Sequence, residues 1–229
     1  MGIYAGYISQ GNTAVAIGSS AGKVSQGENS VAIGLSAGQT DQSYNAVAIG
    51  PFAGVSGQLG YAVAVGSLAG NDTQGLGATA IGREAGQQRQ GQFGTAVGVG
   101  AGYSDQESHT VAVGVNAGRV SQGIGSVCLG NGAGHNAAGD YAVLIGSGAG
   151  LATSTSTSNN TVAIGAGAGA LGTDNNCVIL NGAGNDFPTS GPAINAGFYI
   201  QPMRGIALGL GVGVMKYDTS TGEVVYSLT

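Results

Sequence analysis

The chain has 229 residues, of which 47 are Gly, only 7% are charged and 42% are hydrophobic, with a net charge of −5. Glycine at this level without a Gly-X-Y period excludes collagen, and apolar content joined to strict periodicity argues against a disordered chain. Six scattered basic residues form no tract for nucleic acid, and no run of 18 apolar residues encodes a membrane-spanning helix.

From its first residues the chain repeats itself. Gly2, Gly18, Gly34 and their successors to Gly146 fall sixteen residues apart, and Gly165 follows after nineteen. A second register runs from Gly6, Gly22 and Gly38 to Gly150, then Gly169 and Gly184. Together they frame the motif Val-Ala-Ile-Gly-x-x-Ala-Gly, seen at Val15–Gly22, Val31–Gly38 and onward to Val162–Gly169. Such a period means stacked, near-identical turns of chain. Met1–Gly6 already lies inside a repeat, so the expectation is a segment cut from a longer array.

Sixteen residues cannot hold a helix together with two strands and their corners, and no i, i+3, i+4 spacing occurs. Within each motif Val and Ile project to one side and Ala to the other, the period of a strand. The fold predicted is all-β: a parallel β-solenoid or β-roll of about eleven 16-residue coils, roughly 50 Å long at about 4.8 Å per coil. The Val/Ile column is expected inside. Ala32, Ala48, Ala64, Ala80, Ala96 and Ala112 then form a smooth outer stripe, expected to be an inter-chain face. A third column, Gln10, Gln26, Gln42 and on to Gln122, predicts amides bonded from coil to coil.

The repeat loosens toward its end. Leu151–Asn160 adds three residues to one coil and reads as a polar surface loop, and Cys177–Gly184 reads as the last coil, with Leu180 at a Gly position. Cys128 replaces Ala and Cys177 is read as replacing Val, so the two are expected to face opposite ways, about three coils apart and beyond disulfide reach. Composition shifts near Phe187, dividing the chain into a solenoid over 1–186 and a C-terminal cap over 187–229. Within the cap, Val212–Asp218 and Glu223–Leu228 predict a hairpin expected to cover the end of the stack and lock three chains together.

No residue set reads as catalytic, cofactor-binding or metal-ligating. His109 and His135 share no column with each other or with Cys, and the Gly-x-Gly strings open no helix. Tyr61, Phe93 and Tyr141 precede their motifs at one position, beside polar amides, and are candidate glycan contacts or fillers of inter-chain grooves.

The run Asn29-Ser30-Val31-Ala32-Ile33-Gly34 resembles head repeats of trimeric autotransporter adhesins, and Ala78-Thr79-Ala80-Ile81-Gly82 resembles repeats of bacteriophage and giant-virus fibre proteins. The likeness spans residues 1 to about 184. It implies a left-handed β-roll with three chains side by side. Phe198–Gly205, Val214–Asp218 and Thr221–Ser227 look like a segment of viral fibre proteins that often precedes a self-cleaving assembly chaperone. The resemblance implies a non-enzymatic virion fibre or spike protein, homotrimeric and at the virion surface, needing no cofactor and meeting a host glycan or protein. The alternative is a bacterial adhesin head at the cell surface. An ice-binding solenoid would need a rank of Thr, and only Thr79 and Thr95 hold the strand position.

Overall fold

The computed structural model describes residues 2–151, 159–169, 176–181, 198–201, 213–218 and 223–228. No helix occurs among them. Each motif forms a three-residue strand, Val15–Ile17, Val31–Ile33, Val47–Ile49 and so on to Val162–Ile164. Each pairs in parallel with its copy in the next coil, Ala16 opposite Ala32 and Ala32 opposite Ala48. With Val178–Asn181 and Phe198–Gln201 they make one twelve-stranded sheet, here called the motif sheet. It therefore runs past residue 186 to Gln201.

The Gln-bearing segments form the opposite wall. Val24–Gln26, Asp72–Gln74, Gln88–Gln90, Ser104–Gln106 and Val120–Gln122 pair in parallel or are joined through single bridges at Thr40 and Ser56. The result is a β-solenoid of about ten turns. Gly213–Asp218 and Glu223–Leu228 form the expected antiparallel hairpin. The polar loop predicted over 151–160 lies mostly outside the described residues. Its three extra residues leave the ladder intact, since Val143 pairs with Val162.

The two sides of the motif strand are the reverse of the expectation. Ala32, Ala48, Ala64, Ala80, Ala96 and Ala112 are 0% exposed within a single chain, so they line the interior and cannot be an inter-chain face. Val and Ile point outward. Alternation distinguishes two faces without saying which is inside; what decides is the space between the walls. Gln side chains from the opposite wall fill it, each from Gln26 to Gln122 buried to within 2%, while Gln10 at the open end is exposed. Gln42 Nε2 donates to Val31 O at 2.9 Å, tying wall to wall, and to Gln58 Oε1 at 3.0 Å, tying coil to coil. Gln58 repeats both bonds with Val47 O and Gln74 Oε1. Only a methyl fits opposite a stacked amide.

The same closeness explains both Gly registers. At Gly50, φ is +123°, and a Cβ would stand 2.8 Å from the backbone carbonyl of Gly66 in the next coil. At Gly54, φ is +53°, and a Cβ would strike Gln58 Oε1 at 2.8 Å. Glycine alone satisfies both conditions.

Where the Gln column ends, the interior changes composition. Ala138 takes the Gln position, and Cys128 and Leu144 replace the facing alanines, all buried. Their atoms close in on Gly134, whose Cβ would meet Cys128 Sγ, Leu144 Cδ1 and Ala138 Cβ. Cys177 corrects a second expectation. Val178, not Cys177, pairs with Val162, so Cys177 stacks in the Thr161 column and faces inward like Cys128. Asn181, not Leu180, then follows the last motif strand where Gly165 does one coil earlier.

Candidate functional site

The outward side of the motif sheet is the surface most unlike an ordinary protein exterior. Val and Ile, with Thr79, Thr95 and Leu129, stand there in two rows with no charged residue between them. Ile17 is 50% exposed, Ile81 41%, Ile164 39%, and Ile49 and Val113 37% each. Twelve strands at about 4.8 Å give this face a length of about 50 Å. Contiguous apolar surface on that scale marks an interaction site.

Two corners flank the strand. The entry margin precedes it and carries Tyr44, Tyr61, Phe93, Ile124 and Tyr141; the exit margin follows it and carries Leu35, Phe52, Val99 and Val115. The three candidate glycan contacts sit on the entry margin, Tyr61 58%, Phe93 51% and Tyr141 61% exposed. Each has a left-handed backbone, φ 60°, 56° and 56°. Asn and Gly, which tolerate that conformation, hold the same position at Asn29, Asn45, Gly77 and Gly125. The rings lie against neighbouring glycines: a Cβ on Gly77 would meet the Phe93 ring at 3.1 Å, and one on Gly125 the Tyr141 ring at 2.9 Å. Tyr44 and Tyr61 meet edge to face at 5.2 Å.

The Gln wall presents a polar exterior. Arg89 Nε donates to Asp105 Oδ1 at 2.6 Å, beside a shallow cleft of ≈ 320 Å³ that Thr73 and Glu107 also line. Lys23 lies over the Tyr4 ring and Arg119 over Tyr103. His109 packs on Phe93 and His135 pairs with Asn136, in separate coils. Among the described residues no three His, Cys, Asp or Glu gather as metal ligands, and no helix is long and apolar enough to cross a membrane. Burial pushes the Cys128 thiol up to about 12, against a smaller opposing effect from a backbone hydrogen bond at Gly118.

Sequence reasoning located the aromatic column but missed the Val/Ile surface. The available signal was the Gln column, because an amide stacked in every coil needs an interior position and leaves no room there for Val or Ile. No family model, curated protein or solved structure matches the chain.

Proposed function

We propose that the chain is a structural, non-catalytic rod of a virion fibre or spike, working as a homotrimer at the virion surface and presenting its polar side to a host. The observation that carries this reading is the uncharged, mostly Val/Ile face, partly exposed along the motif strands from Val15 to Ile164. Three left-handed rods with these faces toward a common axis bury that surface and leave the ion-paired Gln wall in solvent. The viral assignment draws on the resemblance of the Thr-Ala-Ile-Gly repeats and of the C-terminal segment. In this reading the hairpin of Gly213–Asp218 and Glu223–Leu228 closes the end of the assembly.

Light scattering on the purified chain tests it, with a mass of three times 22.0 kDa expected. Val63→Glu with Ile81→Glu should disperse the assembly while the β signal of the single chain persists. Ala80→Glu, which places a charge in the interior, should abolish folding instead. A wild-type chain that runs as a monomer overturns the proposal.

A further inference from the structure

Among the described residues beyond the first coil, every large apolar side chain that is exposed, rather than half-buried, lies on the motif sheet or on one of its two margins. The margins of one chain flank opposite ends of the motif strand, so packing within the chain gives no reason for one to match the other. Yet they match in six of the nine coils from Val15 to Thr161. Leu35 shares its coil with Tyr44, Phe52 with Tyr61, Leu68 with Leu76, and Val115 with Ile124. The coil opening at Val15 is polar on both sides, with Ser19 and Ser20 on the exit and Glu28 and Asn29 on the entry. The coil opening at Val143 is polar on both sides as well, with Ser147 and Asn160. Three coils depart from the pattern. One of them sets Arg83, ion-paired with its neighbour Glu84, opposite Phe93, a guanidinium and a ring, which attract each other. The other two set Val99 against His109 and Asn131 against Tyr141.

We infer that copies of this chain associate in parallel and in register, the entry margin of one rod packing on the exit margin of the next at the same height. A closed ring around an axis parallel to the rods requires such a contact: heterologous, with two different patches on each chain complementary to one another. Equal height follows from the symmetry, which carries each coil onto the same coil of its neighbour. Apolar residues then meet apolar ones and polar residues meet polar ones, as interfaces require. An antiparallel pair reverses the coil order and loses the match. The inference rests on the homotrimer proposed above and adds the contact that closes it. In that ring Tyr61 is covered by a sister chain, so it acts in assembly rather than in holding a glycan.

Cysteine cross-linking of the full chain tests the register. Phe52→Cys with Tyr61→Cys places thiols on both margins of one coil; Phe52→Cys with Phe93→Cys places them two coils out of step. All three positions are exposed, and the wild-type chain with its buried Cys128 and Cys177 serves as the blank. Treated with a short bis-maleimide, the matched pair should give a covalent trimer as its main product, and the mismatched pair and each single variant should stay largely uncoupled. Equal coupling in the mismatched pair, dimers from a single variant, or no coupling in a protein that scatters light as a trimer overturns the register alone. A monomeric wild type overturns the assembly itself.

Discussion

Removing one amide from the interior tests the account of the core most directly. Gln58 Nε2 donates to Val47 O at 2.8 Å, to Gln74 Oε1 at 3.0 Å and, more weakly, to Ala62 O at 3.3 Å, while Gln58 Oε1 accepts from Gln42 at 3.0 Å. Gln58→Ala deletes these bonds, leaves Val47 O and Gln74 Oε1 without their donor, and opens a void between the walls. At about 1 kcal/mol per lost bond plus a cavity term, the cost should be about 3–5 kcal/mol. The coil containing Ala138 supplies the remedy. Ala48 and Ala64 stand to Gln58 as Cys128 and Leu144 stand to Ala138. In the wild type Ala64→Leu should overpack the interior and lose about 1–3 kcal/mol. In the Gln58→Ala background, combined with Ala48→Cys, it should restore about half of the loss. Guanidinium unfolding followed by circular dichroism at one protein concentration reads each variant. If Ala64→Leu lowers stability in both backgrounds, volume exchange is not what shapes this core.

The glycines divide by what surrounds them. Gly50→Ala, facing the next coil's carbonyl, should cost more than about 2 kcal/mol in thermal unfolding, whereas Gly132→Ala, at φ +64° with open space around it, should cost only about 1 kcal/mol. Gly94 lacks a positive φ and sits in a column otherwise filled by Ala, Ser, Thr and Cys177, but an added Cβ would press on Gly91 O at 3.1 Å, so Gly94→Ala should change stability by less than about 0.5 kcal/mol in the same assay. The Cys128 thiol ionises near 9 when unfolded and at about 12 when folded, so the unfolded chain loses its proton first. Stability should therefore fall as pH rises from about 9 toward 12, by up to about 1.4 kcal/mol per unit. Cys128→Ala should flatten that slope in paired pH titrations, and an identical slope in both proteins would refute it.

Much of this fold is legible in the sequence because it is periodic. The sixteen-residue spacing of Gly18, Gly34 and Gly50 gives the coil, alternation in Val31-Ala32-Ile33 gives the strand, and the Gln column gives the ladder, bonded amide to amide from Gln26 to Gln90 and from Gln106 to Gln122. What alternation does not carry is direction. The habit of placing Val and Ile inside assumes walls far enough apart to admit them, and wall separation belongs to the closed coil, not to any three-residue strand. The Cys177 register escaped for a related reason: Cys177-Val178-Ile179 and Val178-Ile179-Leu180 both read as motif strands, and only pairing of Val178 with Val162 chooses between them. The three positive-φ positions of a coil that lie outside the two Gly registers were hidden as well, because Tyr61, Arg89 and Phe52 are not residues that announce a positive φ.

The reversed core also bears on why such a rod would not stand alone. Its largest fully buried side chains are Leu144, Ile179, glutamines and threonines; the rest of the interior is mostly Ala methyl groups. Amide ladders hold the coils in register, but hydrogen bonds exchanged with water contribute little net stability compared with burial of apolar surface. The side chains able to supply that burial, Val and Ile, stand half-exposed on the outside. A half-exposed Ile that becomes covered gains about 1 kcal/mol, and each chain carries two rows of such residues. On the proposed reading the hydrophobic core therefore lies between the chains, and folding and assembly become one equilibrium. The unfolding midpoint of the wild type should then rise with protein concentration, and that of the Val63→Glu, Ile81→Glu variant should not. A wild-type midpoint independent of concentration, in the range where light scattering finds the assembly dissociating, would mean that the single rod holds itself together by its backbone ladders.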